Sequence, residues 1–460
     1  MNHRPPLRVA YVYRDFYRRG SIPAHYVSLA ERLALDEDMD VTAVCSARTR
    51  EPTTAPLAFE TVEPIVSGRG RFSYAAECRS FAARSTQVLA RQRDRFDVVH
   101  VEGFAAYAAD LVTVHAVRRA ELDHHFGRIE PKARVRRRLN PVLRPQGHVV
   151  KSIEQRLFAA PPPLCVCVSR QIKDDLQRLH GVPAALIEVI PVAVDAERFR
   201  RRPDERARLR AELAVSGDQL AALFVGDDFK RKGLHTAIEG LARSRSDAEL
   251  WVVGGDRDDV YRALAASLGV GERVRFLGSR PNEELPSWYS AADVLILPSQ
   301  QDGWGIPVVE AMAAGCAVMT SEYTGAHEII EHGVNGYVLE AAGRPDEIAA
   351  LLAGPVRDYE QRRTVADRGV STAARFDREA LHPRWRAAEH RALELRLLRR
   401  GGARPPSSHH DSSTASPAVR SHARSREEWG SGLLSAGSMR VPAAEIPSSS
   451  RSTAPGTVFV

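Results

Sequence analysis

A chain of 460 residues is too long for one ordinary hydrophobic core, so two domains plus extras are expected. Its 43% apolar and 27% charged residues describe a soluble globular protein rather than a disordered one, and no run approaches the roughly 18 apolar residues of a membrane-spanning helix. The formal charge of +7 is modest but uneven: between Val117 and Arg156 eleven Lys or Arg stand against four Asp or Glu.

The chain begins MNHRPPLRVAYVYRD and runs almost directly into a strand, without a charged-then-apolar leader. Secretion through such a leader is therefore not expected, and the expected compartment is the cytoplasm. Five cysteines at irregular spacing give no disulfide framework. Cys165 and Cys167 alternate with valines in LCVCVS and read as small apolar strand residues.

LRVAYVY, MDVTAVC, FDVVHV, DLVTVH and LCVCVS read as buried strands, while PAHYVSLAERLAL places Val27, Ala30, Leu33 and Ala34 on one helical face. The pattern restarts after VIPVAVDAERFRRRPDERARLRAELAV, with LAALFVG, AELWVVG, RVRFLG, DVLILPS, AVMTS and GYVLE. Strands alternating with helices imply right-handed crossovers and parallel sheets. The expected fold is α/β: two Rossmann-like, doubly wound parallel-sheet domains over residues 1–192 and 193–376, joined near 191–200. A helical segment over 377–400 follows, and residues 401–460 turn to Ser, Pro, Ala, Gly and Arg. That tail has too little apolar surface to offset its ordering entropy and is expected to be disordered.

In open parallel sheets ligands bind beyond the carboxyl ends of the strands. The loops at those ends in the second domain are GDDFKRKG, GGDRDD, GSRPNEE, SQQDGWG and SEYTGAHE, rich in glycine and charge, as a phosphorylated ligand requires. In the first, Gly226 ends a strand, Gly233 opens a helix, and Lys230, Arg231 and Lys232 lie just before it. A helix N-terminus offers free N–H groups and partial positive charge, which favour phosphate. Cations there oppose the dipole, which favours a ligand over the other reading, a solvated basic turn. In SEYTGAHEII, Thr324 is a candidate N-cap and Gly325 allows close backbone approach, for a diphosphate or simply for a capped helix. In QDGWGIPVVEAMAAG, Pro307 fits a first helical turn and Val308, Val309, Ala311 and Met312 bury the helix. Glu310 in that apolar start needs a partner, either ribose hydroxyls or an arginine. Asp302 sits on the strand-end loop, with Gly303 and Gly305 giving room for a ligand.

These residues resemble the donor half of glycosyltransferase family 4, retaining enzymes of the GT-B fold. The resemblance rests on the turn from Gly226 to Lys232–Gly233, the acids Asp302 and Glu310 around GWG, and the run GAHEIIEHGVNGYV. It extends to VCVSRQIKDDL and VIPVAVDAERF, and more loosely to the first strand, covering roughly residues 8–395. There are departures. Asp227 stands where many members carry Arg, a charge Arg231 is placed to supply, and Asp302 stands where Glu is usual. PVAVD replaces PNGVD, and the glycine-rich turn after the first strand is reduced to Gly20–Ser21.

The resemblance implies two domains facing a central cleft, and transfer of a sugar from a nucleotide diphosphate-sugar to a hydroxyl of a glycan, glycolipid or small-molecule acceptor. It implies no cofactor and no metal, so DRD at 256–258 reads as acids at a helix start. The implied catalytic residues are Asp302, on the hydroxyls of the transferred sugar, Lys232, on the diphosphate, and His115, approaching from the first domain. Glu310 would hold the ribose, and Gly20, Arg231, Gly303, Trp304, Gly305, Thr324 and Gly325 would complete the substrate site. Read without the family, a strand-end histidine such as His115 is structural. A sugar-nucleotide epimerase of the same architecture and a non-catalytic nucleotide-sugar sensor are the competing readings. The basic segment 117–156 reads either as a solvated surface or as a dock for an anionic membrane carrying a lipid-linked acceptor, which would place the protein on the inner face of the membrane. No motif supports nucleic acid as a partner.

Overall fold

The computed structural model describes residues 5–18, 20–64, 71–121, 145–159, 161–340 and 342–401. Most of the basic segment, residues 122–144, and the tail from residue 402 lie outside the described residues, and with them the expectations of a membrane dock and a disordered tail.

The first half runs β1 (Leu7–Val12), α1 (Ser21–Ala34), β2 (Met39–Cys45), β3 (Ala58–Thr61), α2 (Arg71–Arg91), β4 (Val98–Glu102), β5 (Leu111–Val114), α3 (Pro145–Leu157), β6 (Leu164–Cys167), α4 (Arg170–His180) and β7 (Ile187–Val189). The second half begins α5 (Pro203–Glu212), β8 (Ala221–Val225), α6 (Phe229–Lys232), α7 (Leu234–Ser244), β9 (Glu249–Val253), α8 (Asp259–Ser267) and β10 (Val274–Gly278). It continues α9 (Leu285–Ala291), β11 (Val294–Leu297), α10 (Ile306–Ala313), β12 (Ala317–Ser321), β13 (Tyr337–Leu339), α11 (Pro345–Ala353), α12 (Tyr359–Ala373) and α13 (Arg378–Arg400).

Each half is built on one all-parallel sheet, in the orders β3-β2-β1-β4-β5-β6-β7 and β10-β9-β8-β11-β12-β13. Strand order reverses between β1 and β4 and between β8 and β11, which opens a crevice at the carboxyl end of each sheet. Every residue of β4, β5, β6, β8, β9 and β11 is buried, as helices on both faces require of near-continuous Val, Leu, Ile and Ala runs. The two strands the apolar pattern does not announce, β3 and β7, are short edge strands with part-exposed side chains. Short and part-exposed, these two carry no such run.

The helix α13 leaves the second half and packs on the first. Arg32 pairs with Glu379 at 2.9 Å, His382 with Asp36 at 2.7 Å and Arg386 with Asp38 at 2.5 Å, while Trp385 is fully buried between them. From inside this helix Glu389 reaches His100 of β4 at 2.6 Å. The C-terminal helix thus completes the core of the N-terminal half.

Candidate active site

The glycine- and charge-rich loops of the second half meet where β8 and β11 end. Lys232 lays its aliphatic stem across Gly226, where an added Cβ would come within 3.1 Å of Lys232 Cγ. The turn holding it adds to the sequence expectation. Lys230, Arg231 and Lys232 lie just before helix α7, as expected, and they also form the end of their own short turn α6, capped by the Asp228 carboxylate on the Arg231 N–H at 3.0 Å. At a helix C-terminus the dipole favours cations, so their placement is locally stable without any ligand. Gly233, with φ 82°, then breaks the chain before α7, and any Cβ there would lie 2.1 Å from the Pro298 carbonyl oxygen. Only glycine permits this approach.

The Lys232 ammonium forms an ion pair with the Asp302 carboxylate. Burial pushes the Asp302 carboxyl up, but Lys232 and Arg231 together outweigh it and hold the group below its ordinary range. Burial lowers the Lys232 ammonium against the opposing pull of Asp302. Arg231 lies beside the pair and donates to the Gln301 carbonyl at 2.9 Å. Asp227 accepts the Gly255 N–H at 2.8 Å and so ties two loops together. The DRD acids also serve the loops: Asp256 accepts the Phe229 N–H at 3.1 Å and Asp258 pairs with Arg262 at 2.8 Å.

The SEYTGAHE turn differs from expectation. It is a five-residue 3-10 turn, Gly325–Ile329; Thr324 occupies its N-cap position, but the hydroxyl makes no capping bond and is buried without a partner. The Gly325 N–H donates to the Asp302 carbonyl at 2.9 Å and the Ala326 N–H to the Trp304 carbonyl at 2.6 Å. The amides proposed to cradle a diphosphate are therefore engaged in holding the GWG loop in place. Trp304 is buried against Phe376 at 5.9 Å.

Gly305, with φ 85°, starts α10, and Pro307 sits in its first turn. One turn on, Glu310 is 7% exposed, and its partner is neither arginine nor solvent but the Tyr289 hydroxyl, which donates to Oε2 at 2.8 Å. Burial pushes the Glu310 carboxyl up to about 7, with the Tyr289 hydrogen bond pulling the other way. Glu310 lines a narrow cleft together with His25, Arg198, Asn282, Ile306 and Arg378.

The halves touch at this loop. A Cβ on Gly303 would lie 1.9 Å from the His115 carbonyl oxygen, and one on Gly325 would lie 2.8 Å from Ser169 Cβ. Glu328 accepts the N–H groups of Arg170 and Gln171, at 3.0 and 2.9 Å, at the start of α4. His115 thus stands against the GWG loop, its ring edge-on to Tyr26 at 4.9 Å and its Nε2 3.6 Å from Glu102. Gly20 serves α1: with φ 83° it is the N-cap, and its carbonyl accepts the Ala24 N–H at 3.2 Å. Sequence reasoning missed Glu102, His25, Tyr289 and Glu328. For Glu102 a signal existed, since VVHVE interrupts an apolar strand with two polar groups. Tyr289, on a separate helix, left none.

Two family models match the chain in succession, Glycosyltransferase Family 4 over residues 23–198 and Glycosyl transferases group 1 over 205–371. A D-inositol 3-phosphate glycosyltransferase of Nocardia farcinica is 31% identical over 242 residues, 50% of this chain and 52% of the relative. A GDP-mannose-dependent alpha-(1-6)-phosphatidylinositol monomannoside mannosyltransferase of Mycobacterium tuberculosis is 33% identical over 216 residues, 44% of this chain and 53% of the relative. The chain spans about half the length of these curated relatives. Among solved structures, WaaG, a glycosyltransferase involved in lipopolysaccharide biosynthesis, superposes with a TM-score of 0.67 at 21% identity, over 83% of this chain and 99% of that one, a likeness of fold. With both halves matched in order and the two parallel sheets in place, the chain belongs to glycosyltransferase family 4 and has the GT-B fold.

Proposed function

We propose that the protein transfers a sugar from a nucleotide diphosphate-sugar to a hydroxyl of a glycan, glycolipid or small-molecule acceptor, with retention of configuration and without a metal. The observation that carries this reading is the buried Lys232–Asp302 pair, on loops that face the other half of the molecule. A buried ammonium is costly unless it meets an anion. When a donor binds, its diphosphate takes Lys232, and Asp302 turns to the hydroxyls of the sugar. As the bond from the anomeric carbon to the phosphate oxygen breaks, the electron pair leaves with the diphosphate, and Lys232 and Arg231 stabilise that charge in a water-poor site. The acceptor oxygen bonds the anomeric carbon on the face the diphosphate leaves, and its proton goes to the departing phosphate.

Glu310 accepts one bond from Tyr289 and keeps Oε1 for the ribose diol. The relative named as GDP-mannose-dependent supports the donor class, and the phosphatidylinositol monomannoside in its name supports a lipid-linked acceptor here. The surplus of basic residues over 117–156 supports a peripheral place on the cytoplasmic face of an anionic membrane. No helix of the described residues is long and apolar enough to cross a membrane.

Incubation with UDP-, GDP- and ADP-sugars in excess EDTA tests this reading. Acceptor-dependent release of nucleoside diphosphate is expected, with the anomeric proton of the product showing retention by NMR. Epimerised sugar left on the nucleotide, or binding without release, would overturn it; a rate restored only by divalent metal would overturn its metal-free part. Co-sedimentation with anionic but not neutral vesicles tests the membrane placement, and equal binding to both removes it.

A further inference from the structure

β4 is buried on both faces, yet it carries His100 and Glu102, 0% and 1% exposed. Residues two apart share a face of a strand. The parallel register sets Tyr11 of β1 opposite His100 and Thr113 of β5 opposite Glu102, so that His100, Glu102, Thr113 and His115 come together beneath Glu389 and Trp385 of α13.

The hydrogen bonds of this cluster fix its protons. Glu102 Oε1 accepts the Tyr11 hydroxyl, and it accepts the Thr113 hydroxyl at 3.2 Å. Thr113 has spent its one proton, so at 2.7 Å it accepts from His100 Nε2–H. His100 Nδ1 faces Glu389 Oε1 at 2.6 Å and donates there as well. With both nitrogens protonated His100 is an imidazolium; burial opposes that state, and Glu389 and Glu102 outweigh it. Two carboxylates then stand against one imidazolium, an excess of one negative charge in the core.

Two carboxylate oxygens of the cluster are left without a hydrogen-bond partner and share that excess, Glu389 Oε2 and Glu102 Oε2, and the second has a further ring nitrogen near it. Facing it at 3.6 Å is His115 Nε2, also buried and also without one. The side chain of His115 retains 12% exposure, which must lie on atoms other than the buried Nε2. The other groups around the ring do not compete for the contact. Tyr26 presents a ring edge at 4.9 Å, and His25, 6.1 Å away, is held neutral by burial, its ionisation lowered to about 3.

We propose that Glu102 is a positioning residue: its Oε2 takes the Nε2–H of His115 and so fixes the tautomer in which Nδ1 offers a lone pair to a hydroxyl of the bound substrate. Through His100 the same network reaches Glu389, so the C-terminal helix supports the orientation of a residue at the cleft. Only the identity of the hydroxyl rests on the transferase reading. The tautomer does not.

Long-range 15N–1H correlation on histidine-labelled protein at pH 7.5 reads the tautomer of His115 without any substrate. The wild type should show Nε2–H with an unprotonated Nδ1. Glu102→Gln, whose amide can donate to Nε2, should shift His115 toward Nδ1–H and lower kcat at least tenfold, with the donor KM within twofold; Glu102→Asp should keep the wild-type tautomer and most of the rate. A wild-type His115 that is Nδ1–H or doubly protonated overturns the proposal, as does a Glu102→Gln variant with unchanged tautomer and unchanged kcat. The wild-type spectrum decides even if the variants do not fold. A correct tautomer in a protein that releases no nucleoside diphosphate would sink the transferase reading and leave this one standing.

Discussion

In the second half the buried charges, Lys232 and Asp302, stand at the end of the turn α6 and on the GWG loop and retain 11% and 13% side-chain exposure; in the core of the first half His100, Glu102 and Glu389 stand inside β4 and α13 with none. The sheets are alike, so the difference lies in what each set of charges can do next. A loop-borne pair at a cleft exchanges partners at little cost, because a ligand that separates Lys232 from Asp302 also supplies each with a new partner. The core network has no incoming partner and cannot open without leaving charges bare. It acts only through His115, which it holds from behind. Exchangeable charges belong to binding, and fixed ones to orientation.

The largest effect should come from breaking the exchangeable pair. Asp302→Asn removes the carboxylate and leaves a buried ammonium, a loss of roughly 3–5 kcal/mol where no compensation exists. The expected outcome is a fall in kcat of at least hundredfold at saturating donor, with Asp302→Glu retaining partial activity. Lys232→Ala should instead weaken donor binding by about 1.5–3 kcal/mol in calorimetry, since it removes one charge-assisted phosphate contact. Parent-like turnover of Asp302→Asn would reduce this acid to a loop fastening.

Glu310 sharpens the comparison, because it is an acid of the second half that has, among the described residues, no ion-pair partner to exchange. Its carboxyl ionises near 7 in the folded protein against an ordinary 4.5. Between these values unfolding releases a proton, so the unfolded state binds fewer protons and stability falls as pH rises. The contribution is whole below pH 4.5 and lost by about pH 7, at most about 3 kcal/mol. His25, lowered from 6.5 to about 3, gives the opposite slope over part of that window. The test is therefore a difference: urea midpoints of the parent minus those of Glu310→Gln, from pH 4.5 to 7.5. A flat difference would show that Glu310 is ionised throughout.

Much of this was legible in the chain. Continuous apolar runs announced eleven of the thirteen strands, because strands covered on both faces tolerate little else. The donor loops were legible because glycines and charges crowd at strand ends, where backbone approach and ligand charge both demand them. Edge strands β3 and β7 lacked the apolar run. The partners of the site residues were hidden for a different reason: Tyr289 meets Glu310 across 21 residues and Glu389 meets His100 across 289, distances no local pattern encodes. The short turn α6 was not legible because one glycine, Gly233, splits what reads as a single helix start.

A smaller effect follows where the halves touch. An alanine at Gly303 would place its Cβ 1.9 Å from the His115 carbonyl oxygen, so backbone must move on one side of the cleft. Overpacking of this kind costs about 2 kcal/mol, and here it also separates the fixed histidine from the exchangeable pair. Gly303→Ala should lower both the denaturation midpoint and kcat, the latter about tenfold, by the cost of misplaced reacting groups. Gly217→Ala, with nothing within 4 Å, is the control and should be neutral. A Gly303→Ala protein as active as the parent would mean that this contact does not persist in solution.

The smallest expected effect concerns a helix cap supplied from the other half. The first N–H groups of any helix lack intrahelical acceptors. In α4 the Ser169 hydroxyl serves the Ile172 N–H at 3.2 Å, and Glu328, more than 150 residues away in sequence, serves those of Arg170 and Gln171 at 3.0 and 2.9 Å. The carboxylate also faces the positive end of the helix dipole. The helix does not depend on it to form, since Ile172 and Leu176 anchor it in the core. Removal should therefore cost only what a cap costs, about 1 kcal/mol. Because the cap exists only while the halves are together, that loss falls on closure rather than on either half alone. Glu328→Ala should speed hydrogen exchange at Arg170 and Gln171 and raise the donor KM about fivefold, while amides in β5 and β11 exchange as before. Equal acceleration across both sheets would instead show that Glu328 stabilises the fold as a whole, and the two halves would then have no separate closing energy for this acid to set.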